Sequence, residues 1–141
     1  MPTRKASATW EGGLQNGKGS FSAESGAVGG SYAFSTRFGE ERGSNPEELL
    51  AAAEAACFSM ALAGGLQKAG SNPERVQTDA ECTVEKVGEG FQITTIRLRT
   101  RASVPGIDAE TFQRVAQETK ANCPVSKALA GVDIQLEASL E

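Results

Sequence analysis

A single apolar segment, Leu49–Leu66, constrains this chain more than any other feature. Apart from glycine, only Glu54 and Ser59 are polar in it, and seven of its residues are alanine. A helix over this segment is apolar on nearly every side, as in a helix buried in a core or spanning a membrane. A carboxylate is costly in lipid, and the rest of the chain has no second apolar span. We therefore predict a buried helix.

The residues before this segment are typical of a helix start. Ser44 or Asn45 can cap the helix, Pro46 suits its first turn, and either following glutamate can complete a capping box. The helix is predicted over about Glu47–Lys68. About six turns of apolar helix are more than one small domain can surround, so we expect a second copy of the chain to cover one face. The sequence therefore predicts a homodimer.

Composition narrows the class of protein. The 141 residues suit one domain, residues 1–141, with one core. A net charge of -4 and 6% aromatic residues argue against nucleic-acid binding and against a membrane-surface role. The N-terminal residues carry no apolar run, so no signal peptide is predicted and a cytoplasmic location is expected.

Strand-like and helix-like patterns alternate along the chain. Three short strands are predicted at Lys5–Trp10, Gly19–Glu24 and Ser31–Phe38, separated by glycine-rich turns. Two long alternating strands follow Gly70, and a last strand contains Val132, Ile134 and Leu136. Between them, Asp108 is expected to cap a helix through Lys120, and a short helix is expected from Cys123 to about Ala130. The pattern predicts an α+β fold, with an antiparallel sheet of about six strands and two main helices.

The cysteines carry the chemistry that the composition allows. The chain has no histidine, which excludes Ser-His and Cys-His nucleophile pairs and most catalytic zinc sites. The three cysteines, Cys57, Cys82 and Cys123, include no C-x-x-C pair. Three isolated thiols are a poor set of ligands for a metal ion. Cys82 occupies an inward position of a predicted strand and is interpreted as a small buried hydrophobe.

The other two thiols have different predicted surroundings. Cys57 lies mid-helix on the stripe of Leu50, Ala53, Met60 and Gly64, where a cysteine is either core or, with a cation beside it, a reactive thiolate. Cys123 precedes Pro124 at the junction of two predicted helices, where the helix N-terminus favours a thiolate, although an ordinary polar cap is the alternative. These patterns leave open whether the two thiols meet.

Two longer motifs resemble a known family. The run SNPEELLAAAEAACFSM, residues 44–60, and the run NCPVS, residues 122–126, resemble the two cysteine motifs of the OsmC/Ohr family of osmotically inducible and organic hydroperoxide resistance proteins. Residues 10–12, 36–38 and 104–108 resemble the OsmC branch, so the resemblance covers essentially the whole chain. It implies an intertwined α+β homodimer with two interface active sites. It also implies thiol-dependent reduction of organic hydroperoxides and hydrogen peroxide in oxidative or osmotic stress.

The resemblance also implies roles for individual residues. Cys57 matches the peroxidatic thiol, Cys123 the resolving thiol, Glu47 the family's glutamate and Arg37 its arginine, with Lys18 as the alternative cation. No metal or other cofactor is implied, and the reductant is expected to be an external dithiol of the thioredoxin or lipoyl type. Candidates for an apolar substrate pocket, although residues of these types are more often simply core, are Phe34, Phe38, Phe58 and Met60.

Two glutamates complicate this picture. Glu54, three residues before Cys57, would raise the pKa of the thiol if it pointed there, unless Arg37 outweighs it. Glu47 lies ten positions before Cys57, about 15 Å along a straight helix. It must therefore act from a second copy of the chain, unless the helix breaks or Glu47 serves only in a capping box with Ser44.

Two other functions remain open from the sequence. One is a non-enzymatic stress protein that binds an apolar ligand at the dimer interface, with the cysteines incidental. The other is a thiol–disulfide oxidoreductase acting on proteins, although such enzymes normally use a close C-x-x-C pair, which this chain lacks.

Overall fold

The computed structural model describes residues 1–141, which divide into two compact units, Met1–Leu49 and Leu50–Glu141. The predicted α+β class is confirmed, whereas the single domain over residues 1–141 stays a prediction. In chain order the elements are β1 (Ala6–Glu11), β2 (Lys18–Ala23), β3 (Gly29–Tyr32), α1 (Phe34–Phe38), α2 (Pro46–Lys68), β4 (Arg75–Val87), β5 (Gly90–Ser103), α3 (Ala109–Asn122), α4 (Pro124–Ala128) and β6 (Asp133–Leu140).

The first unit is an antiparallel meander followed by a short helix. β1 pairs with β2 and β2 with β3. The prediction of a strand over Ser31–Phe38 is wrong beyond Tyr32, because α1 occupies its second half. The Arg37 amide donates to the Ala33 carbonyl at 3.1 Å, and the tilted rings of Phe34 and Phe38 pack one turn apart with centroids 5.1 Å apart. Aromatic packing at helical spacing therefore prevails over the strand preference of these residues.

Asn45 is the residue that caps α2. Its Oδ1 accepts a hydrogen bond from the Glu48 amide at 2.8 Å, which satisfies one free donor of the first turn. Ser44 instead donates its hydroxyl to the Ser31 carbonyl. The alternative of a Ser44–Glu47 capping box is therefore wrong, and α2 runs unbroken to Lys68.

The core of the second unit forms on one stripe of α2. Phe58, Leu62 and Leu66, spaced four residues apart, are completely buried. They pack with side chains of β5, α3 and the segment between them, namely Ile96, Leu98, Ala102, Val104, Phe112, Val115 and Ala116. The predicted stripe through Cys57 and Met60 is not the core stripe, since Met60 is 80% exposed. A helix that is apolar all round gives no periodicity from which to choose its buried face.

The six strands form two three-stranded sheets, β1-β2-β3 and β4-β5-β6, instead of one antiparallel sheet. β4 and β5 form an antiparallel hairpin, whereas β6 pairs with β5 in parallel. The parallel pairing follows from the two helices between β5 and β6, because such a crossover returns the chain to the end from which β5 started.

Much of the apolar surface of α2 is not covered by its own chain. The helix is long and apolar enough to cross a membrane, with a mean hydropathy of 1.7 over an 18-residue window, and 22% of that window is buried. In a core helix enclosed by its own domain, most of the window would be buried.

Two adjacent glycines of α2 provide a test of its packing against α3. A β-carbon on Gly65 would lie 3.0 Å from Val115 Cγ1, whereas one on Gly64 would meet nothing within 4 Å. We expect Gly64→Ala to stabilise the chain by about 0.5–1 kcal/mol, because alanine favours the helix. Gly65→Ala should lose that gain and destabilise, because Val115 must move. Urea unfolding of both variants measures the difference, and equal effects would contradict the close approach at Gly65.

Candidate active site

Two thiols from distant parts of the sequence meet in the second unit. The Sγ atoms of Cys57 and Cys123 lie 2.9 Å apart. Cys57 is partly buried on α2, and Cys123 is 2% exposed at the break between α3 and α4. The break arises because Cys123 has extended ψ before Pro124, which starts α4 with its fixed φ. The prediction left open whether these thiols meet, and the fold brings them together.

The surroundings of Cys57 favour the protonated form of its thiol. Burial raises the pKa of the Cys57 thiol above its ordinary value, and the contact with Cys123 raises it further. The backbone N–H of Val125 acts in the opposite direction, since it donates to the sulfur and stabilises the thiolate. The charge of Glu54 makes a smaller contribution that also raises this pKa.

Glu54 is the most unusual residue of the site. It is completely buried, at the position four residues before Phe58 on the core stripe of α2. Its Oε1 accepts a hydrogen bond from the Ser126 hydroxyl on α4, while its Oε2 has no hydrogen-bond partner. The expectation that Glu54 bears on the thiol is met, because its charge raises the pKa of Cys57.

Arg37 and Glu47 form an ion pair in the first unit. Arg37 Nη2 donates to Glu47 Oε1 at 2.9 Å, and Nε donates to Oε1 and Oε2 at 3.1 and 3.3 Å. Glu47 is 6% exposed, while the Arg37 side chain keeps 37% of its surface accessible. The guanidinium also lies 5.0 Å from the centroid of the Phe38 ring. The carboxylate therefore holds the guanidinium in one orientation and leaves part of it open.

The four residues predicted to line an apolar pocket lie in different parts of the structure. Phe34 and Phe38 line a cavity of about 250 Å³ in the first unit together with Trp10 and Arg37. Phe58 lies in the core, which was the alternative for this residue, and Met60 is exposed on α2. Lys18, the alternative cation, lies on β2 opposite Glu11.

Sequence reasoning missed two members of the site, Val125 and Ser126. Both follow Cys123 in the first turn of α4, where backbone N–H groups have no helical partner. Pro124 after a cysteine was the signal for free N–H groups there. No comparable signal indicated that the Ser126 hydroxyl reaches a carboxylate 72 positions away. No group of three or more Cys, Asp or Glu side chains forms a metal-binding cluster.

The chain is similar to known proteins in both sequence and structure. A family model described as OsmC-like protein matches residues 39–137. The chain is 48% identical to peroxiredoxin OsmC of Escherichia coli over 96% of its length and 97% of that protein. It is 34% identical to an organic hydroperoxide resistance protein of Xanthomonas axonopodis over 67% of its length and 66% of that protein. The crystal structure of OhrB of Bacillus subtilis superposes with a TM-score of 0.74 at 27% identity, covering 95% of this chain and 97% of that one.

The contact between the two thiols predicts the pH dependence of Cys57. In the wild type, the contact with Cys123 and the charge of Cys123 both raise the pKa of Cys57, and Cys123→Ala removes both. The midpoint of Cys57 alkylation by iodoacetamide should therefore shift to lower pH. Peptide mass spectrometry resolves Cys57 from the other thiol, and Cys82→Ala serves as the control with an unchanged midpoint. An unchanged or higher midpoint in Cys123→Ala would contradict this description of the thiol pair.

Proposed function

The chain belongs to the OsmC-like family, and from this we propose that it is a cysteine-based peroxidase that reduces organic hydroperoxides and hydrogen peroxide. Relatives named peroxiredoxin OsmC and organic hydroperoxide resistance protein support a role in peroxide defence. The observation that carries the mechanism is the 2.9 Å separation of the Cys57 and Cys123 sulfurs. A thiol oxidised at this position has its resolving partner already in contact.

The proposed cycle has three steps. The Cys57 thiolate attacks the distal peroxide oxygen, the O–O bond breaks, and Cys57 becomes a sulfenic acid, while the alkoxide or hydroxide that leaves takes up a proton to form an alcohol or water. Cys123 then attacks the Cys57 sulfur, which forms the disulfide and releases water. An external dithiol, of the thioredoxin or lipoyl type, reduces the disulfide by exchange. Cys57 rather than Cys123 is assigned the attack by the family motif, and because it is the more accessible of the two.

The raised pKa of Cys57 requires a cation during the reaction. An opposite charge within about 4–6 Å lowers a pKa by roughly 1–3 units. We assign this role to Arg37, held in orientation by the buried Glu47. Glu47 precedes Cys57 by ten positions in the sequence, a separation that spans about 15 Å in a straight helix. The ion pair that serves a given thiol therefore comes from a second copy of the chain.

A homodimer also accounts for the uncovered apolar surface of α2. With 22% of its apolar window buried and Met60 80% exposed, the helix needs a cover. A second copy that packs there buries this surface and brings its own Arg37–Glu47 pair to the site. The cavity beside Arg37, lined by Phe34 and Phe38, then suits the alkyl part of a hydroperoxide. We place the protein in the cytoplasm, where dithiol reductants keep thiols reduced.

Peroxide turnover by cysteine variants tests the proposed function. With dithiothreitol as reductant, the wild type should consume tert-butyl hydroperoxide, and Cys57→Ser should fall to the background rate because the attacking sulfur is gone. In a separate reaction without dithiothreitol, Cys123→Ser should react once, leaving a sulfenic acid that dimedone traps. Cys82→Ser is the matched control and should keep wild-type turnover. Unchanged peroxide consumption in Cys57→Ser would favour the apolar-ligand alternative instead.

Mixed copies test the origin of the arginine. Cys57→Ala and Arg37→Met chains should each be inactive alone. After co-refolding in equal amounts, activity should return to about a quarter of the wild-type value if each site combines residues of both chains. No recovery, with mixed dimers verified by native mass spectrometry, would place Arg37 and Cys57 of one site in the same chain.

A further inference from the structure

The carboxyl group of Glu54 is placed where a hydrophobic side chain would be expected. It shares the core stripe of α2 with Phe58 and Leu62 and is completely buried. One oxygen, Oε1, accepts from the Ser126 hydroxyl, and the other, Oε2, has no hydrogen-bond partner. An unpaired polar atom in a core is costly, so its retention calls for a role beyond packing.

The same carboxyl group connects the two segments that carry the thiols. Glu54 precedes Cys57 by three residues on α2, a separation that places two side chains on one face of a helix. Ser126, its hydrogen-bond donor, follows Cys123 by three residues in the first turn of α4. The charge of Glu54 acts on the Cys57 thiol, as does that of Cys123. Glu54, Cys57 and Cys123 are therefore the titratable groups that act on one another at this site.

We propose that Glu54 is the proton carrier of the dithiol site, taking the proton from each attacking thiol and returning it to the oxygen that leaves. This inference rests on the proposed peroxidase function. Ser126 holds Oε1, which leaves Oε2 open to accept the proton. Arg37 and Glu54 then have different tasks, since the guanidinium stabilises the thiolate and the carboxylate takes up the proton.

In both chemical steps, the proton lost by the attacking thiol reaches the leaving oxygen through this carboxyl group. In the first, the carboxylate takes the Cys57 proton, the thiolate attacks the distal oxygen, and the carboxylic acid returns the proton to the alkoxide released from the O–O bond. In the second, it takes the Cys123 proton, the thiolate attacks the Cys57 sulfenic sulfur, and the proton goes to the departing hydroxide to form water. Each step leaves Glu54 as it began, and neither step needs a proton from solvent.

A carboxyl-to-amide change separates this role from a purely electrostatic one. Glu54→Gln keeps the size and the hydrogen bond to Ser126 but removes the negative charge and the basic oxygen. Losing a charge that raises the pKa of Cys57 should move the midpoint of Cys57 alkylation to lower pH. Losing the proton carrier should at the same time slow disulfide formation by tert-butyl hydroperoxide by about 100-fold. Glu89→Gln, the same change at an exposed turn, is the control.

The two readouts together decide the proposal. A more acidic thiol with slower disulfide formation supports it. Faster formation in Glu54→Gln would mean that Glu54 only restrains the thiolate, and unchanged rates would mean that it is a packing residue; either result overturns the proposal. If Glu54→Gln does not fold, Ser126→Ala keeps the carboxylate but frees its orientation, and it should slow disulfide formation without removing it. Unchanged kinetics in Ser126→Ala would also overturn the proposal.

A second oxidant makes this test independent of the peroxidase function. Oxidised glutathione forms a mixed disulfide with Cys57, and Cys123 then displaces glutathione after losing its proton. This closure should also be slower in Glu54→Gln than in Glu89→Gln. If wild-type protein fails with peroxide but closes with glutathione disulfide, the proposed function fails. In that case, equal closure rates in the two variants would overturn the role of Glu54 as well.

Discussion

The packing of one face of α2 against β5 and α3 is the constraint on which the site depends. Phe58, Leu62 and Leu66 are completely buried on this face, and fully burying such side chains contributes about 1.5–3 kcal/mol each. Because the helix is rigid, this face sets the direction of every other side chain along it. Cys57, one position before Phe58, is thereby directed to the margin of the core. There it meets the segment that joins α3 to α4.

That segment is shaped by the order of its residues. Cys123 ends α3 and Pro124 starts α4, so the chain turns sharply and leaves the N–H groups of the new helix unpaired. The turn presents the Cys123 thiol, the Val125 N–H and the Ser126 hydroxyl toward α2 together. A partly buried pair of thiols with one stabilising N–H and a neighbouring carboxyl is a site whose chemistry depends on where the protons lie. Removal from water strengthens each of these electrostatic effects.

The sequence predicted the elements better than it predicted their faces and partners. The cap residues Asn45 and Asp108 and the period-two strands were readable because their signals are local. The core stripe of α2 was not readable, since alanine and leucine surround the helix and no period distinguishes one side. The helix α1 was missed because the packing of Phe34 on Phe38 outweighs strand propensity. The parallel pairing of β6 depended on the whole crossover between β5 and β6 rather than on the strand itself.

The candidate site also combines features that were predictable from the sequence with features that were not. The sequence by itself determined which groups are chemically capable: two cysteines in family motifs, an arginine, two glutamates and no histidine. Only the tertiary structure decided that the Cys57 and Cys123 sulfurs lie 2.9 Å apart and that Ser126 holds a buried Glu54. The physical reason is that residue type and local propensity act over a few neighbouring residues. α2 and α4 are far apart in sequence. They come into contact only when the apolar surfaces of the helices and the sheet are buried together.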